Sequence, residues 1–299
     1  KFNEYSATNG KFLQTIFEDR DEQYVEPVGP AHFLPNNNKE FLWLAQRDGF
    51  YHIWKHNVST KEVKQITQGK FVITSFEGFD KKGDNIYYKS TEVSPLERHF
   101  YKHNLKNGKK VKISKEHGTH SVMPSASGKY FIDVYSSTDV ARRVDLMDSN
   151  GKYIKCLHES VDPLKEYNIG TIELGTLEAE DGQTLYTRMI KPYNFDKSKK
   201  YPVIIYVYGG PHAQMITDEW TAGAGIYLHY LSQEGFIVFT LDNRGSADRG
   251  EAFEQVIHRQ CGQAEMRDQK VGIDFLKSLP YVDADRIGTD GWSYGGFMS

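Results

Sequence analysis

The residues best suited to chemistry lie at the end of the chain. Ser293 stands in Gly291-Trp292-Ser293-Tyr294-Gly295, a G-x-S-x-G pattern. A serine hydroxyl becomes a useful nucleophile when a tight turn exposes it and a base takes its proton. Small residues two positions to either side are what such a turn demands, because side chains there would clash. The pattern carries weight only between a strand and a helix. "RIGTDG" (286–291) supplies a strand and "GFMS" (296–299) the start of a helix. The rival reading is a glycine-rich surface turn with an inert serine.

Acyl transfer also needs donors aimed at the oxyanion that develops in the transition state. One is expected from the backbone N–H of Tyr294. The second is expected from the loop after an earlier strand, and "YVYGGPH" (206–212) fits that place, with the Tyr208 phenol as donor. A plain aromatic packed at a strand end is the alternative for Tyr208.

The base is harder to find. In this arrangement an Asp and then a His follow the serine, but neither occurs among residues 294–299. His212, His229 and His258 all precede it, and chain order argues against them, His212 beside the oxyanion loop included.

Other reactive residue types point elsewhere. Cys156 and Cys261 show no C-x-x-C spacing and read as free, mostly buried thiols. Of the 11 histidines, His52 and His56 in "HIWKHN" read as surface residues of a strand rather than a metal site. No metal and no cofactor are expected. Asp242 and Arg244 in "DNRGS" are expected to brace a loop, and Asp268 to be a solvated or capping charge on a helix. Glu26 in "YVEP" is expected in an extended loop facing a cavity.

The elements that must hold the serine are visible upstream. "VIIYVYGGP" (203–211) and "FIVFTLDNRG" (236–245) are apolar runs of the kind found in strands buried on both faces. "LGTLEAEDGQTLYTRMIKP" (174–192) reads as a hairpin around Asp181-Gly182, and "FDKSKKYP" (195–202) as a polar connection. In "AEMRDQKVGIDFLKSLP" (264–280), Met266, Ile273, Leu276 and Leu279 recur at helical spacing as the expected buried face. Strand, helix and strand in this order predict an α/β sheet.

The first 160 residues repeat instead. Leu42, Ile86 and Tyr130 are 44 residues apart (86 − 42 and 130 − 86), as are Trp43, Tyr87 and Phe131. "HIWKHN" at 52–57 recurs as "HFYKHN" at 99–104, 47 residues on. Short aromatic and β-branched strands at such a period predict β-propeller blades, with 40–67, 85–114 and 130–157 in successive blades and 10–27 as the remains of one more. A β-sandwich is the rival, though sandwiches rarely repeat at a fixed period.

Composition narrows the classes further. A chain of 299 residues with 38% apolar and 13% aromatic residues can build about two cores. A net charge of −3 gives no basic field for nucleic acid. No apolar run reaches the ~18 residues of a membrane span, and the first residues show no signal peptide.

"YPVIIYVYGGP", "LDNRGS", "HRQCGQAEMRDQ" and "VDADRIGTDGWSYGGFMS", with the mid-forties repeat, resemble the dipeptidyl peptidase IV type of the prolyl oligopeptidase family, especially its bacterial branch. The likeness covers almost the whole chain and is strongest over 200–299. It implies a mixed fold: the C-terminal part of a β-propeller (1–160, three to four blades), then the N-terminal portion of an α/β-hydrolase domain (161–299). It implies a serine exopeptidase that releases Xaa-Pro or Xaa-Ala dipeptides from free N-termini. Ser293 would be the nucleophile. Tyr208 and the Tyr294 N–H would form the oxyanion hole, and Tyr294 and Trp292 would contact substrate, with the Tyr294 ring lining the proline pocket. The family's adjacent pair of amine-binding glutamates has no counterpart, since the sequence contains no Glu-Glu dipeptide. The expectation is therefore an interior excerpt, inactive alone, lacking the amine clamp and the triad Asp and His. A periplasmic or cell-envelope location and a homodimer are further implications. The competing readings are an acylaminoacyl peptidase or endopeptidase of the same superfamily, a plain esterase, and a non-catalytic propeller-hydrolase that only binds partners.

Overall fold

The computed structural model describes residues 1–299. Its first half is a series of small antiparallel sheets. A hairpin pairs β1 (Phe2–Tyr5) with β2 (Phe12–Phe17). A four-stranded meander follows, of β3 (His32–Phe33), β4 (Glu40–Gln46), β5 (Tyr51–Asn57) and β6 (Val63–Gln65). The next comprises β7 (Ile73–Phe79), β8 (Asn85–Ser90), β9 (His99–Asn104) and β10 (Lys110–Lys112). The third comprises β11 (Thr119–Pro124), β12 (Tyr130–Ser136), β13 (Arg143–Asp148) and β14 (Tyr153–Glu159).

These sheets are propeller blades, as the packing of alternate side chains shows. On β4, Phe41 and Trp43 pack back against Phe2 and Phe17 of the preceding hairpin. Leu42, between them, packs forward with Ile73, Ile86 and Tyr88 of the next sheet. On β8, Ile86 and Tyr88 face backward, while Tyr87 faces forward to Val122 and Phe131. Period-two alternation therefore feeds two interfaces, and the blades of β3–β6 and β7–β10 are each covered on both faces. The segments expected at 40–67, 85–114 and 130–157 hold the second to fourth strands of each blade. Each first strand lies earlier and was not visible: β3 has two residues, and β7 has two register irregularities.

The repeated histidine marks a structural device. His52 Nδ1 lies 3.1 Å from Thr67 Oγ1, which also accepts the Ile53 N–H at 2.9 Å. In the next blade His99 Nδ1 lies 2.9 Å from Ser114 Oγ, which accepts the Phe100 N–H at 3.0 Å. The reading of His52 and His56 as surface residues is thereby corrected: they are 0% and 2% exposed. A blade covered on both faces, as this one is, has no solvent face, so alternation along its strands does not mark one. Burial, with Arg47 beside it, holds the His56 imidazole down at about 4. The cysteines also differ from expectation. Cys156 is half-buried and Cys261 exposed, because Cys156 sits on β14, the outermost strand of its sheet, and Cys261 in a loop.

The second half is a mixed five-stranded sheet. Its strands are β15 (Thr171–Glu178), β16 (Thr184–Lys191), β17 (Tyr201–Tyr206), β18 (Ile237–Asp242) and β19 (Val282–Asp290), in the order β15-β16-β18-β17-β19. β17 runs parallel to both β18 and β19. All six residues of β18 are buried, as its continuous apolar run required. Helices α1 (Ile226–Gln233), α2 (Glu251–Glu254), α3 (Ala264–Ser278) and α4 (Tyr294–Met298) connect or follow the strands. Val203, Ile205, Phe239, Leu241 and Leu276 lie in one core between this sheet and α3. This is the first part of an α/β-hydrolase sheet, set beside the propeller blades.

Candidate active site

Ser293 lies between the end of β19 and α4, with φ 57° and ψ −116°. A non-glycine residue with such a φ is strained, and the surroundings must hold it there. Two glycines do so. A Cβ on Gly295 would collide with the carbonyl oxygen of Val207, just past β17. A Cβ on Gly291 would collide with the Gly295 backbone and come within 2.7 Å of the same Val207 oxygen. The turn can therefore press against the end of the neighbouring parallel strand only because both positions lack side chains. Ser293 itself is exposed.

The loop after β17 lies on the other side of the turn. A Cβ on Gly210 would come within 2.7 Å of Tyr294 Cγ and 2.9 Å of Tyr208 Cε1. The bare backbone of Gly210 thus separates the two tyrosine rings, whose centroids are 6.3 Å apart. Tyr208 and Tyr294 are brought together beside Ser293, both half-buried, whereas Trp292 is 82% exposed. Gly209 has φ +72°, and Asn243 Nδ2 donates to its carbonyl at 3.0 Å. The His212 N–H donates to Gly245 O at 3.0 Å. Asp242 accepts from the N–H groups of Met215 and Ile216 at 2.9 and 3.0 Å. The loops after β17 and β18 are therefore laced together. Burial pushes the Asp242 carboxyl up to about 6.

The helix α3 departs most from expectation. The sequence suggested an apolar buried face, yet Met266 is 48% exposed, while Glu265, Asp268, Gln269, Gly272 and Leu276 are buried. Asp268 is not solvated. It accepts the Arg244 backbone N–H at 2.8 Å and pairs with the Arg244 guanidinium at 2.7 Å. That pairing holds Arg244 well above its usual range. Arg244 is braced further by Asp181 at 2.9 Å and Glu180 at 3.2 Å, in line with the loop-bracing reading. Gln269 Nε2 donates to Asn243 Oδ1 at 2.9 Å. The Tyr294 hydroxyl donates to Glu265 Oε1 at 2.6 Å. Glu265, Gln269 and Asn243 were not singled out in the sequence. For Glu265 and Gln269 the available signal is polar residues at i, i+3, i+4 spacing inside "HRQCGQAEMRDQ"; Asn243 lies in "LDNRGS" and carries no such spacing.

None of the upstream histidines is hydrogen-bonded to Ser293. His212 Nε2 lies 3.4 Å from Glu26 Oε2, a contact between the loop after β17 and the propeller. His229 is buried, and burial lowers its pKa. His258 packs on the Tyr24 ring at 5.3 Å. Glu26 lines a cavity with Asp19, Asp21, Tyr24, Trp43 and Glu251, in keeping with its expected place.

Residues 3–142 match the Dipeptidyl peptidase IV (DPP IV) N-terminal region, and residues 225–299 match the Prolyl oligopeptidase family. A crystal structure assigned as a dipeptidyl aminopeptidase IV from Bacteroides ovatus is 38% identical, with a TM-score of 0.93 over 99% of this chain and 45% of that one. Porphyromonas gingivalis dipeptidyl peptidase 4 is 31% identical, with a TM-score of 0.88 over 99% of this chain and 42% of that one. Dipeptidyl peptidase 8 of Homo sapiens is 28% identical over 95% of this chain and 36% of its own length. The chain thus spans little more than a third of the curated relatives it matches. With propeller blades, a parallel-strand serine turn and these two matches in chain order, the chain belongs to the prolyl oligopeptidase family, in its dipeptidyl peptidase IV branch.

Proposed function

We propose that this chain carries the nucleophile of a serine exopeptidase that releases Xaa-Pro or Xaa-Ala dipeptides from free N-termini. The observation that carries the reading is the backbone of Ser293, held at φ 57° and ψ −116° by two glycines packed on Val207. Ser293 Oγ attacks the carbonyl carbon of the second residue and forms a C–O bond as its proton passes to a base. The tetrahedral oxyanion faces the Tyr294 N–H and the Tyr208 phenol. Its collapse breaks the peptide C–N bond, the leaving amine takes the proton, and water then hydrolyses the acyl-enzyme. The base is not among residues 294–299.

In the full-length protein, hydrolysis of Gly-Pro p-nitroanilide is expected, and Ser293→Ala should lower it by about 10⁶-fold. A fluorophosphonate probe should label Ser293 in that protein and label the 299-residue chain far more slowly. Rapid labelling of the 299-residue chain would show that an upstream histidine serves as base and would overturn the assignment of roles. A periplasmic or cell-envelope location and a homodimer belong to the same proposal, and are tested by fractionation and sedimentation.

A further inference from the structure

The Tyr294 side chain is fixed at both ends. Its backbone belongs to the serine turn, and its ring packs on Gly210 and edge-on to Phe297, with centroids 5.2 Å apart. Its hydroxyl reaches away from the turn to Glu265 at 2.6 Å. Glu265 is 0% exposed, and the Tyr294 hydroxyl is its one hydrogen-bonding partner. A carboxylate buried with so little compensation does little for stability alone. Its position in the first turn of α3 offers partial support from the helix N-terminus. The helix is itself anchored further along by Asp268 on Arg244 and Gln269 on Asn243. Glu265 is thus a fixed point on an independently secured element. Burial first, then the hydrogen bond to Glu265, holds the Tyr294 phenol well above its ordinary range, so it stays a neutral donor.

We propose that Glu265 is a positioning residue for substrate selection. Its carboxylate fixes the Tyr294 ring as a wall against which the residue before the scissile bond packs. This rests on the reading in which Ser293 is acylated and the Tyr294 ring faces that residue. A proline ring is rigid and fills such a wall with several methylenes, whereas an alanine methyl touches it little. In an apolar pocket one methylene changes kcat/KM by about 10–200-fold, so loosening the ring costs a proline substrate more than an alanine one.

The test uses the full-length protein with Gly-Pro and Gly-Ala p-nitroanilides. Rates are divided by the fraction of Ser293 that a fluorophosphonate labels, which removes misfolded enzyme from the comparison. Glu265→Leu is expected to lower kcat/KM for Gly-Pro by roughly tenfold or more while the Gly-Ala value falls by less than about threefold, the range set by pocket methylenes. Glu265→Gln keeps an acceptor for the hydroxyl and should restore the proline preference. Tyr294→Phe, which keeps the ring and deletes the donor, should reproduce the Glu265→Leu pattern, and the double variant should add nothing further. Equal losses on both substrates, a Gln variant as poor as Leu, or additive effects in the double variant would overturn the role of Glu265. Activity that survives Ser293→Ala would instead overturn the underlying reading.

Discussion

Two adjacent glycines in α4 make a sharp comparison. At Gly295 an added Cβ meets the Val207 carbonyl oxygen in a collision, with Val207 C at 3.2 Å and Tyr208 Cα at 3.3 Å. All three are backbone atoms, so no side-chain rotation relieves the clash. Recovering an ordinary contact near ~3.5 Å requires the turn to lift from β17 by about 1 Å, and a shift of that size at a reacting group costs about 10²-fold in rate. Overpacking should also cost ~1–3 kcal/mol of stability. At Gly296 the nearest atom to an added Cβ is Gly291 O at 3.6 Å, an ordinary contact on an exposed helical position. Alanine there should leave the rate unchanged and add about 0.5–1 kcal/mol, because glycine costs a helix that much. The assays are fluorophosphonate labelling of Ser293 in the full-length protein and urea unfolding. Full labelling rate in Gly295→Ala, or an equal loss in Gly296→Ala, would refute the argument that Val207 sets the height of the serine.

Further predictions concern buried charges. The Glu254 carboxyl is 5% exposed and is pushed up to about 7 by burial and by Asp248. Its folded pKa lies above the unfolded one, so its contribution to stability is present below pH ~4.5 and is lost as pH rises through ~7. Glu254→Gln should therefore stabilise the protein at pH 8, by up to ~3 kcal/mol, and the gain should shrink towards pH 5; a gain that grows on acidification would contradict this. Asp268→Ala removes the one fully buried partner of the Arg244 guanidinium, which is 3% exposed, leaves it only the more exposed Asp181 and Glu180, and should cost ~3 kcal/mol. The double variant Arg244→Met with Asp268→Leu should recover much of that loss in urea unfolding, and no recovery would show that the pair does more than neutralise itself.

The blades were legible because an interface between repeats must recur. The second strands begin at Glu40, Asn85 and Tyr130, 45 residues apart (85 − 40 and 130 − 85), and their apolar residues meet the same demand in each blade. The same logic misled the histidine reading. Alternation implies a solvent face only for a sheet open on one side, and the blade that holds His52 and His56 is covered on both. The serine turn was legible because its chemistry is local. Gly291, Ser293 and Gly295 lie within five residues, and the strain they share needs only the end of β17 opposite them.

Helix α3 shows why the rest was hidden. Hydrophobic spacing identifies the face that meets an apolar core, and over its second half α3 does bury Leu276 there. Over its first half it faces a site, so the buried side carries Glu265, Asp268 and Gln269. A pattern built on burying carbon cannot mark such a face. The marks are partners at Tyr294, Arg244 and Asn243, between 24 and 29 residues away in the chain. The propeller contacts lie further still. Arg98 reaches Gln214 at 2.5 Å and Asp248 at 2.6 Å, across 116 and 150 residues. Those two residues lie on the loops that Asn243 and His212 tie together beside Tyr208. One arginine of a blade therefore closes a ring of hydrogen bonds around the loop after β17. The propeller takes part in shaping the site without supplying a residue to the serine turn itself.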